Sequence, residues 1–212
     1  MTAPSTPGLD VHTPAGILWN DAQREKAFAA WLARVAPAHG LRPDSVRLAS
    51  ADASFRRYFR VDAAGEGPAS TRIVMDAPPD KEDSAPFVKV AQLMSQAGVT
   101  APQVLDWDQA QGFLLLNDLG RQTMLDRIDP AQPEAARPMY EAAIDALVHW
   151  QLSSAAGVLP AYDEALLRRE LALFPDWYVA KHRGIAVEGP LAETLARSFE
   201  LIVKNNLASP SV

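Results

Sequence analysis

The chain has 212 residues, 48% hydrophobic and 22% charged, with a formal net charge of −6. That is enough chain for one large core or two small ones, and the acidic balance argues against a broad phosphate-backbone interface, which needs clustered Lys and Arg. The absence of cysteine excludes disulfides, thiol catalysis and Cys-ligated zinc, and the scattered His12, His39, His149 and His182 have no metal-ligand spacing.

Residues 1–18, rich in Pro, Thr, Ala and Gly, read as a flexible tail, without the basic start and apolar core of a signal peptide. No apolar run approaches the roughly 18 residues of a membrane span. The expectation is a cytoplasmic protein with neither a membrane nor a nucleic-acid partner.

Asn20 or Asp21 caps a helix reaching about Ala36, with Phe28, Trp31, Leu32 and Val35 on its apolar stripe and Gly40 beyond its end. A strand-like segment follows at Val46-Arg47-Leu48. The stretch Ala51 to Val61 then reads as a small-residue turn feeding a strand of period 2. Phe55, Phe59 and Val61 share one face and Arg56, Tyr58 and Arg60 the other. Arg57 is the exception, a charge at the parity of the apolar set.

A turn at Gly65 to Ser70 leads to a strand at Arg72 to Met75, giving a hairpin. The prolines of MDAPPDKED end that strand and put Asp76, Lys81, Glu82 and Asp83 on an exposed turn. A helix from about Ala85 to Gln96 carries Phe87, Val90, Ala91 and Met94 on its stripe, with Gly98 at its end.

The sheet closes at Val104-Leu105 and at GFLLLNDLG, Gly112 to Gly120. There the apolar run Phe113 to Leu116 meets the turn-forming Asn117-Asp118 and must stop. Beyond this point every periodicity is helical. Pro138 to Ser154 places Tyr140, Ile144, Leu147, Val148 and Gln151 on one face. Asp163 caps a second helix with Leu166, Leu167 and Leu171 that ends at Phe174-Pro175, and Pro190 opens a third with Leu191, Leu195, Phe199 and Ile202. The fold class is therefore α+β and two-lobed: a first lobe of sheet plus helices over residues 19–118, with one helix packed on the antiparallel sheet over roughly 41–118, then an all-helical lobe over 119–212.

There is no GxxxxGK[ST], no GxGxxG and no GxSxG. What remains is an ordered set: SFRRYFRV, IVMDAPP, PFVKVAQLM, GFLLLNDLG and LFPDWYV. From about Leu41 onward this set resembles the aminoglycoside phosphotransferase-like kinases, and among them the bacterial anomeric sugar kinases that phosphorylate N-acetylmuramate and N-acetylglucosamine in cell-wall recycling. The resemblance implies ATP and magnesium as cofactors and a small sugar as the phosphate acceptor. It places adenine at the hinge, against the Asn117 carbonyl and the Leu119 amide, with Leu114 and Leu116 walling the slot. Ser54 and Phe55 fall at the loop over the phosphates. Trp177 and Tyr178 are read either as a stacking platform for the sugar or as residues packed between helices.

Two departures from the family pattern matter. Met75 takes the place of the third-strand lysine, and an apolar residue near Val88 that of the helix glutamate. Arg57 then reads either as a substitute phosphate ligand or as one partner of a strand-edge ion pair. The chain also stops at NNLASPSV, before the HRD-type loop that supplies the base and before the magnesium ligands, which are expected downstream of residue 212. The expectation is a kinase represented by its N-terminal portion and inactive alone. The alternative is a non-catalytic nucleotide-binding or interaction module on a truncated kinase fold.

Overall fold

The computed structural model describes residues 17–51 and 55–208. It is an α+β, two-lobed arrangement, with a sheet lobe followed by a helix-rich segment. The chain separates into two compact units at Trp150/Gln151, so residues 119–150, expected in the helical lobe, group with the sheet.

The first unit opens with α1, Ala22–His39. Asp21 caps it by accepting the Gln23 N–H at 2.8 Å, and Gly40 closes it at φ 61°, a left-handed turn open to glycine without strain. Ile17, from the stretch read as a tail, packs against the core. Five strands follow: β1 Leu41–Ala51, β2 Arg57–Ala63, β3 Thr71–Asp76, β4 Val104–Asp108 and β5 Phe113–Asn117. They form one antiparallel sheet in the order β1-β2-β3-β5-β4. Helix α2, Ala85–Gln96, lies between β3 and β4 in sequence.

Strand alternation divides the sheet into two apolar faces. Phe59, Val61, Val74, Phe113 and Leu115 pack with Phe28, Trp31, Leu32 and Val35 of α1. Met75, Leu114 and Leu116 form a second buried cluster with Val88 of α2, flanked by Tyr58, Ile73, Phe87 and Trp107. The sheet thus carries a helix on each face: α2 is the one packed helix expected within residues 41–118, and α1, the helix read at the start of the chain, covers the other face. Burial on both faces explains the unbroken apolar run of β5.

Asp76 is not on an exposed turn. It ends β3 at 0% exposure, on the α1 face. Arg24 of α1 donates to its Oδ1 from Nε at 2.9 Å and Nη2 at 2.5 Å. Arg57 donates to its Oδ2 from Nε at 3.0 Å and Nη2 at 2.5 Å. Such paired forks satisfy the oxygens of a carboxylate this deep, and the two guanidiniums are themselves covered by rings. Arg24 lies 3.9 Å from the Phe113 centroid and Arg57 lies 4.0 Å from that of Trp19.

Gly112 tightens the β4–β5 turn at φ 68°, and a Cβ there would lie 1.9 Å from the Ala77 carbonyl oxygen. After β5 come a short helix α3, Met124–Arg127, opened by a Thr123/Asp126 capping box, and α4, Arg137–Ser153. The apolar face read on α4 is present, but Tyr140, Ile144, Leu147 and Val148 are exposed.

The second unit holds α5, Glu164–Leu173, a π-helix at Phe174–His182 and α6, Gly189–Ala208. Asp163 caps α5 by accepting the Leu166 N–H at 2.9 Å. Phe174-Pro175 ends the α-helix as expected, with α5 stopping at Leu173, but the helical path goes on as the π-helix. Pro175 has no N–H to give to the next α-turn, and the backbone widens instead, closing with Arg183 N–H on the Tyr178 carbonyl at 2.9 Å. Arg168 ties α5 to α6 by donating to Glu200 at 2.8 Å.

Candidate functional site

Hairpin geometry decides which side chains reach the open side of the sheet. On β2 the alternation that buries Phe59 under α1 turns Tyr58 and Arg60 to the opposite face, next to Ile73 of β3 and Leu116 of β5. Together with Phe87 and the segment 117–121 these residues line a cleft of about 550 Å³. That size and its mainly apolar lining suit a flat, ring-sized ligand.

The end of the cleft is built by Asp118. Its carboxylate receives Arg60 Nε at 2.5 Å and Arg60 Nη2 at 3.0 Å. It also receives the Thr71 hydroxyl at 2.7 Å and the Gly120 N–H at 2.9 Å. Arg60 Nη2 reaches on to the Gly120 carbonyl at 2.9 Å. Burial pushes the Asp118 carboxyl up, but the hydrogen bonds from Arg60, Thr71 and Gly120 outweigh it and hold its pKa at about 2. Asp118 is therefore an anchor for the peptide Asp118–Gly120 and a poor proton acceptor. The Leu119 N–H on that peptide donates to no carbonyl among the described residues.

Leu116, Asn117 and Leu119, the hinge residues singled out in the sequence, come together at this cleft. Ser54 lies outside the described residues. Phe55 is exposed, and its N–H donates to Glu82 Oε1 at 3.2 Å, while Arg56 Nε reaches Glu82 Oε2 at 3.2 Å. Arg57 is on the α1 face of β2, across the sheet from the cleft and bound to Asp76. Its odd parity in the sequence has a structural cause, because register pairs Arg57 directly with Asp76. Arg60, which faces the cleft, was read only as part of the polar face of β2; the hinge contact it makes spans 58 residues and leaves no local pattern.

Met75 and Val88, the apolar replacements for the lysine–glutamate pair, lie in one buried cluster. Trp177 and Tyr178 are 58% and 48% exposed on the π-helix. Lys181 sits 3.5 Å from the Trp177 centroid. The Tyr178 ring stacks with Phe174 at 5.4 Å and with His182 at 5.5 Å. Neither is buried between helices, and Trp177 has the freer ring. Among the described residues no three of His, Asp and Glu gather in a way that would hold a magnesium ion, and no helix is long and apolar enough to cross a membrane.

Comparison with known proteins supplies the context for this arrangement. A protein from Pseudomonas aeruginosa named N-acetylmuramate/N-acetylglucosamine kinase is 51% identical over 170 residues, covering 80% of this chain and 48% of its own length. A Pseudomonas putida protein of the same name is 40% identical over 208 residues, covering 97% of this chain and 57% of its own. One from Neisseria meningitidis serogroup B, again so named, is 39% identical over 191 residues, covering 90% and 55%. The chain thus spans about half the length of the curated relatives it matches. The profile of the phosphotransferase enzyme family matches residues 45–212, which takes in the whole cleft, and the chain belongs to that family.

Proposed function

We propose that this chain serves an ATP-dependent sugar kinase, with adenine in the cleft between Tyr58, Ile73, Leu116 and the Asn117–Leu119 hinge. The observation that carries this is the pairing of an apolar slot with a free main-chain donor. The Leu119 N–H is anchored by its Asp118 and Gly120 neighbours yet has no partner of its own among the described residues. A fixed backbone donor beside an apolar wall recognises a flat heteroaromatic ring without demanding particular side chains. ATP would supply the phosphoryl group, and the names of the relatives point to N-acetylmuramate or N-acetylglucosamine as acceptor.

The residues of this chain bind and orient in that reaction. Asp76 is committed to two arginines and Asp118 to Arg60, Thr71 and Gly120, so neither is available to take a proton from a sugar hydroxyl. The described residues do not fit a magnesium site. With the lysine and glutamate positions filled by Met75 and Val88, the phosphates must be ordered by other groups, and Ser54 and Phe55 remain in place for that by sequence. The contacts of Arg57 with Asp76 support a structural role for it. Trp177 is the better of the two aromatic residues for a sugar face, since Tyr178 is already stacked by Phe174 and His182.

The test is calorimetric titration of ATP into the wild-type chain and Leu119→Pro, with circular dichroism to verify folding. Removal of the one amide donor should weaken binding about threefold to tenfold. Equal affinity in a folded Leu119→Pro variant contradicts the assignment. Formation of sugar phosphate from ATP and N-acetylmuramate by the complete enzyme tests the acceptor.

A further inference from the structure

The hinge carbonyl is freed for a ligand by the side chain of the residue that carries it. Strands β4 and β5 pair with Val104 opposite Leu116, so the next pair in register is Gln103 with Asn117. In an antiparallel ladder such a pair exchanges two bonds, each N–H donating to the other residue's carbonyl. Half of that exchange is made, since the Asn117 N–H donates to the Gln103 carbonyl at 3.2 Å. The returning bond goes elsewhere: the Gln103 N–H donates to the side-chain Oδ1 of Asn117 at 2.7 Å. β4 accordingly begins at Val104, one residue short of the pair.

We infer that Asn117 Oδ1 stands in for its own main-chain carbonyl in the ladder, and that this releases the carbonyl to accept the exocyclic amine of an adenine. The inference rests on the adenine reading of the cleft and adds a specificity determinant to it. A purine that bears an amine at the six position has a donor for this carbonyl; one without the amine does not. Asn117 is thus a positioning residue, acting through its backbone. A residue without a short side-chain acceptor leaves the exposed Gln103 N–H to take up the ladder bond to the Asn117 carbonyl, the acceptor that antiparallel register sets opposite it. Asn is also suited to the site by its habit of bonding nearby backbone, which elsewhere in a strand would be a defect.

The experiment compares ATP with purine riboside triphosphate, which lacks the amine, by titration calorimetry on the full 212-residue chain. The wild type should bind ATP about threefold to tenfold tighter, the worth of one hydrogen bond. Asn117→Ala and Asn117→Leu should lose that preference, with the ratio falling to about one while purine riboside triphosphate affinity is kept. Asn117→Asp retains an acceptor at the same position and should keep the preference. Weakening of both nucleotides alike in Asn117→Ala and Asn117→Leu would mean a merely structural side chain and would overturn the inference alone, as would a wild type that does not distinguish the two. Failure of the wild type to bind either nucleotide would overturn the reading of the cleft, and this inference with it.

Discussion

Replacement of Asp76 by Asn is the sharpest perturbation of the sheet lobe. The carboxylate is fully buried and accepts four charge-assisted bonds of 2.5 to 3.0 Å from Arg24 and Arg57. Asn is nearly isosteric but neutral, and it offers one acceptor oxygen where there were two. Two guanidiniums, whose side chains are only 15% and 28% exposed, then share a site without a counter-charge. Breaking a buried pair in this way costs about 3–5 kcal/mol. For a unit of this size about 2–4 °C of melting temperature is lost per kcal/mol, so thermal unfolding followed by circular dichroism should fall by about 6–20 °C. Arg57→Ala removes one arm and leaves Arg24 paired, so it should cost less and leave ATP affinity unchanged. A loss below about 1 kcal/mol in Asp76→Asn would refute the network. Tenfold weaker ATP binding by a stable Arg57→Ala protein would move Arg57 to the cleft side.

Three further outcomes follow from the geometry. Gly112→Ala forces a side chain into the left-handed region and onto the Ala77 carbonyl, and should cost at least about 2 kcal/mol in urea denaturation. The Asp118 carboxyl is held at about 2 in the folded chain against an ordinary 3.8, so its ionised form stabilises the fold above about pH 4 and that contribution is lost as pH falls towards 2. Asp118→Asn should therefore narrow its stability gap to the wild type by about 2 kcal/mol across that interval, and a constant gap would contradict the Arg60 contact. Trp177→Ala in the complete enzyme should raise the KM for the sugar with little change in thermal stability, because the ring is exposed; an unchanged KM would remove it from the acceptor site.

Local pattern carried much of this structure. The period-2 alternation of β2 assigned Phe59, Val61, Tyr58 and Arg60 to their faces, and the apolar run of β5 with its Asn-Asp stop located the end of that strand. The caps at Asp21 and Asp163 were legible because capping is a matter of adjacent residues. Partnerships across the chain were not. Asp76 looked like a turn charge because its arginines arrive from α1, 52 residues earlier, and from the register of a hairpin. Arg60 and Asp118, separated by 58 residues, are in the same position. Phe174-Pro175 marked the end of α5, but no local signal announced the π-helix that follows it. The apolar faces of α4 and α6 show in the sequence as stripes, but a stripe does not say what covers it, and Leu201 and Ile202 are exposed on α6.

Hydrogen exchange at the Leu119 amide tests the central claim most directly, since that N–H is the proposed adenine donor and has no partner among the described residues. The amide should exchange fast in the free chain and be protected on saturation with ATP, together with its neighbours in the hinge. Saturating ATP that protects another part of the chain while Leu119 continues to exchange at its free rate would place the nucleotide elsewhere.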